Sequence, residues 1–128
     1  MSYTHDRLMT GVSIDDAEAR VREALAERGF GVLTEIDVKA TMKKKLNEEM
    51  PGYRILGACN PQMAHQAIEI EPRVGAMLPC NVILRETPEG TEVNAVDPVE
   101  SMAAIDNESL KLVAREVREM LTAAVDAA

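Results

Sequence analysis

Apolar residues fall along the chain in two alternating rhythms, one suited to helices and one to strands. Ile14, Ala17, Val21, Ala24 and Leu25 recur at the three-and-four spacing that gathers a stripe on one helical face. Ser13 stands just before them and Asp16 three residues on, a hydroxyl and an acid placed to cap a helix start. Gly29 is the expected stop, so the spacing predicts a helix over 14–28. A second stripe, Leu110, Val113, Ala114, Val117, Met120, Leu121 and Ala124, predicts a longer helix over 106–125. Two shorter helices are expected between them. Asp37 is placed to cap one over 38–48, which ends before Pro51-Gly52. Asn60-Pro61 opens the other over 61–69, since Asn caps well and Pro suits the first helical position, and Pro72 closes it.

The remaining apolar runs read as strands over 3–12, 30–36, 53–58, 80–86 and 91–96. Thr87-Pro88-Glu89-Gly90 joins the last two as a hairpin, and Asp97-Pro98 ends the second of them. Five strands and four helices, with a hairpin and no repeat or linker, predict one α+β domain. Its expected form is a two-layer domain, a mostly antiparallel sheet of about five strands covered by helices, over residues 1–128.

Composition fits a packed domain. At 128 residues and 46% hydrophobic, the chain can bury a core without metal or disulfide staples. No apolar run approaches the roughly 20 residues that span a bilayer, and the polar start Met1-Ser2-Tyr3-Thr4-His5-Asp6 lacks the form of a signal peptide. A cytoplasmic location is expected. A net charge of −8 and only three aromatic residues argue against nucleic acid as a partner. The single basic run, Lys43-Lys44-Lys45, sits beside Glu48 and Glu49 and reads as a solvated helix face.

Few motifs carry chemistry. Gly29-Phe30-Gly31 follows a helix and enters a strand, the reverse of a dinucleotide-binding order, and no phosphate loop or HExxH follows. Ser13 is accounted for as a cap, and neither His5 nor His65 sits in a recognisable nucleophile elbow. Asn107-Glu108-Ser109 fits a glycosylation sequon but reads better as a helix start.

The two cysteines are the most informative residues. Cys59 closes a strand immediately before a helix N-terminus, where the helix dipole favours a thiolate; Cys80 opens the next strand. The excursion between them is long enough to return to the end it left, so the two are expected on neighbouring strand ends, with Cα atoms within about 10 Å. Core packing accounts for both as small buried hydrophobes. The functional reading makes Cys59, Asn60, Pro61, Pro79, Cys80 and Asn81 a ligand-binding cleft, with Asp37 as a further candidate at a strand end and Asp97 at another. Two cysteines and His65 offer too few ligands, at the wrong spacing, for structural zinc, so no metal and no cofactor is expected.

The runs Gly29–Asp37, Leu56–Pro61 and Leu78–Val82, with Val96-Asp97-Pro98, resemble the domain-of-unknown-function family 302 over roughly residues 3–125. The resemblance implies a small α+β fold and a homodimer, and implies no substrate. Three functions remain open. The leading one is a homodimeric module that binds a small polar or anionic ligand at the helix start after Cys59. The others are a thiol-dependent enzyme or redox protein using Cys59 with Cys80, and a structural or accessory dimer.

Overall fold

The computed structural model describes residues 2–128. Five strands, β1 (Thr4–Thr10), β2 (Gly31–Asp37), β3 (Tyr53–Cys59), β4 (Cys80–Thr87) and β5 (Gly90–Val96), form one sheet in the order β1-β5-β4-β3-β2. Every neighbouring pair is antiparallel. The helices are α1 (Ile14–Ala26), α2 (Val38–Leu46), α3 (Pro61–Ile70), α4 (Pro98–Ser101) and α5 (Glu108–Ala127), with a 3-10 turn over Pro72–Met77. The two-layer α+β architecture expected from the chain is the one observed. Two short elements were not expected, the 3-10 turn and α4. Both begin at a proline that follows an acid, Glu71 or Asp97, whose side chain accepts a backbone N–H. An acid before proline reads equally as a strand end or a helix start, and here it is both.

Local chemistry sets the boundaries. Gly29 stops α1 in the left-handed conformation (φ 82°), with Gly29 N bonded to Ala26 O and Phe30 N to Leu25 O. These are the paired bonds of a Schellman cap, and the buried Phe30 and Leu25 supply its apolar contact. β1 ends at Thr10 rather than Val12 because Gly11 turns at φ 73°. Asp37, Asn60 and Asn107 cap α2, α3 and α5 through their side-chain oxygens.

The pleat divides the sheet into two faces. Met9, Leu56, Ala58, Cys80, Val82, Leu84, Val93 and Ala95 face α1 and α5 and form the main core with Val21, Leu25, Val117 and Leu121. Arg54 ties this face to α1 through Asp15 (2.7 Å) and Glu18 (3.1 Å), which together hold its guanidinium above its ordinary pKa despite the opposing cost of burial. Arg7 of β1 donates to the Val125 (2.9 Å) and Ala128 (2.6 Å) carbonyl oxygens, satisfying the end of α5. A second apolar cluster, Ala67, Val74, Met102, Leu110 and Ala114, lies among α3, the 3-10 turn, α4 and the first turns of α5.

Two close approaches require glycine. A side chain at Gly90, already at φ 145°, would strike the Met9 carbonyl oxygen. At Gly57 a Cβ would meet the Thr34 hydroxyl and lie 2.7 Å from Pro79 Cγ. The proline ring cannot rotate away, so it packs on β3 only because position 57 carries no side chain. Gly57→Ala should therefore destabilise the fold by about 1–3 kcal/mol. Urea unfolding at neutral pH measures it, and an unchanged midpoint would contradict this packing.

Candidate functional site

The β3–β4 ladder brings the two cysteines together. Ala58 pairs with Cys80, and Cys59 is the next residue along, paired on its other side with Gly31 of β2. The Cα atoms of the two cysteines therefore lie within about 9 Å, one pairing distance plus one residue step. The pleat sends Cys80 into the helical layer and would send Cys59 the other way. Cys59, however, is the last residue of its strand, and the chain turns there into α3. Both cysteines border the same cavity.

That cavity lies at the end of the sheet, where the two apolar clusters meet, and holds about 30 Å³. Its walls are Phe30, Met63, Leu78, Met102, Val113 and Val117, together with alanines 58, 64, 67 and 114. The alanines explain why it exists. Ala64 and Ala67 of α3 face Ala114 of α5 with methyl groups only, in an interior that otherwise packs to crystal-like density. Besides sulfur, Asn60 is the one polar side chain on the wall.

Of the residues singled out in the sequence, the structure gathers Cys59, Asn60, Pro79 and Cys80. The other four lie elsewhere. Pro61 is exposed on the first turn of α3, and Asn81 points to the opposite sheet face beside Tyr53 and Ile83. Asp37 pairs with Arg54 at the far end of β2 from Gly31, roughly 20 Å away at strand rise, and its carboxylate is taken by Ala40 N (2.9 Å). Asp97 caps α4 through Val99 N (2.9 Å) with Arg118 at 3.8 Å, and its neighbour Pro98 reaches the cavity.

The apolar wall was not read from the sequence, because residues that line a void carry the same signature as residues that fill a core. The one available signal was the run of small residues on facing helices. The ground for expecting an anion also changes. Asn60 Oδ1 accepts from Met63 N (3.2 Å), Ala64 N bonds to Asn60 O, and Pro61 has no N–H, so the start of α3 is largely satisfied from within.

The cysteines differ in access. Cys59 is half-buried and Cys80 is 6% exposed. Burial, and secondarily the nearby Cys59, pushes the Cys80 thiol from 9.0 up to about 11. Among the described residues, no three His, Cys, Asp or Glu side chains converge as metal ligands, and no helix is long and apolar enough to cross a membrane.

The chain is an α+β domain built on a single antiparallel five-stranded sheet, and it carries a cysteine-bordered cavity where β3 and β4 meet α3. The chain belongs to the DUF302 family, a domain of unknown function, whose model matches residues 7–128. Its fold is similar to the crystal structure of an uncharacterized conserved DUF302 protein from Bacillus stearothermophilus. The two share a TM-score of 0.92 and 24% identity, over 99% of this chain and 98% of that one. No curated protein matches the chain.

The protonated state of Cys80 gives a pH signature. A thiol whose folded pKa is raised adds stability that is whole below the unfolded value, near 9, and gone once pH passes the folded value, about 11. Two pKa units correspond to about 2–3 kcal/mol. Unfolding midpoints measured from pH 8 to 11 should fall more steeply in the native protein than in Cys80→Ala. Parallel curves would mean that Cys80 titrates as a free thiol.

Proposed function

We propose that the chain is a small-ligand-binding module, with the cavity between Cys59 and Cys80 as its site. The observation that supports this reading is the cavity itself, an apolar space at a strand-to-helix junction bordered by two reduced cysteines. Its lining favours a ligand that inserts an apolar or soft group, with any polar end left near Asn60 at the mouth. In this reading the polar or anionic preference drawn from the helix start loses its main support, since α3 caps itself.

The test is a titration followed by NMR of the methyl groups of Met63, Met102, Val113 and Val117. Dimethyl sulfide, small and soft, should shift these methyls, while acetate at the same concentration should not. Ala114→Leu, which fills the space, should abolish the response. Shifts with acetate alone would restore the anionic reading, and none with either probe would remove the site.

A second reading, a thiol-dependent enzyme or redox protein, is supported by the adjacency of the cysteines and by their unequal access. Cys59 would be the reacting thiol and Cys80 its resolving partner. Cys59→Ser read with dimethyl sulfide separates the readings, because a binding module still shifts its cavity methyls with this probe and a thiol enzyme loses turnover.

We also propose that the module works as a homodimer in the cytoplasm, with a second copy seated on the open sheet face. Ile36, Ile55 and Ile83 are ladder partners across three strands and stand together on that face, followed by Asn94 and Asp6. Tyr53, Arg85, Glu92 and Leu8 form the next rung. Ile36 is 47% and Leu8 44% exposed. Arg85 and Glu92, paired at 2.8 Å, offer both charges to a symmetry-related copy. A specific interface here would bury about 1,200 Å² or more. Light scattering at micromolar concentration should give twice the chain mass, and Ile83→Glu should give the chain mass. A native protein that stays monomeric would rule out the dimer, and with it the reading of the chain as a structural or accessory dimer.

A further inference from the structure

Four sulfur-bearing residues line this one cavity: Cys59, Cys80, Met63 and Met102. The chain has two cysteines and eight methionines, so both of its thiols are committed to a space of about 30 Å³. No carboxylate or imidazole shares the wall. Thiolate and thioether donors without hard oxygen or nitrogen ligands select soft, low-coordinate ions and do not suit zinc, calcium or magnesium. Resting on the reading of this cavity as a ligand site, we infer that its ligand is a soft monovalent metal ion of the copper(I) class, held by Cys59 and Cys80 with Met63 as third donor.

The positions suit these roles. Cys59 lies at the cavity mouth, half-buried, where an ion can arrive. Cys80 and Met63 belong to the same buried cluster behind it, and Met102 stands on the wall of the second cluster. Binding replaces two S–H bonds with two sulfur–metal bonds and releases two protons, with no change of oxidation state. The bound unit carries one net negative charge.

Anaerobic titration of the reduced protein with copper(I), against the chromophoric chelator bicinchoninate, tests the inference. One copper per chain should leave the chelator, both thiols should become protected from alkylation, and a thiolate-to-copper charge-transfer band should appear. Cys59→Ser should weaken binding at least about 100-fold and Met63→Leu about tenfold, with circular dichroism reporting retained folds. Copper that stays with the chelator overturns the inference, as does binding unaffected by Cys59→Ser. If copper fails while dimethyl sulfide still shifts the cavity methyls, the metal inference falls and the ligand site stands. If both fail, the cavity is not a ligand site at all.

Discussion

The Pro79 ring lies on β3 where a side chain at position 57 would otherwise stand, and the candidate site depends on that contact. Glycine at 57 lets the segment before β4 settle against the sheet, which fixes the entry of β4 and the pairing of Ala58 with Cys80. That register sets Cys59 at the point where the chain leaves the sheet for α3, beside Cys80 as it enters the core. A shift of one residue would exchange the faces of β4, sending Cys80 outward and Asn81 into the apolar layer. The cysteines and the cavity between them are thus a consequence of strand register, reinforced by a contact that only glycine permits.

The helical layer shapes the other wall. α5 runs along both apolar clusters, with Leu121 and Val125 over the sheet and Leu110 and Ala114 over α3 and α4. Where it passes from one to the other, its small side chain at 114 faces the alanines of α3. The void therefore forms at the seam of two clusters that each pack well. A cavity in such a place persists because closing it would require moving α3 against a ladder and two caps, Asn60 at one end and Glu71 at the other.

Much of this was legible in the chain. Helix periodicity located α1 and α5, caps at Ser13, Asp37 and Asn60 located helix starts, and the long excursion between the cysteines allowed them to meet. The α+β sheet followed from the order of elements. What escaped was set by register and by volume. Nothing local to Asn81 says that it faces away from the cysteines, because the side it takes is decided by the pairing of β4 with β3, Ala58 with Cys80 and Gly57 with Asn81, residues more than twenty positions apart in the chain. Nothing local to Asp37 says which end of β2 the cysteines occupy. Met63 and Met102 read as core residues, and their shared cavity depends on alanines some fifty positions apart in sequence.

The central claim is that both thiols border one apolar void. A crystal structure of the reduced protein under xenon pressure tests it most directly. The account calls for a xenon atom between α3 and α5, in contact with Cys80 and Val117, with the Cys59 sulfur on the same wall. A void closed by repacked side chains, or cysteine sulfurs on opposite faces of the sheet with no shared space, would contradict it.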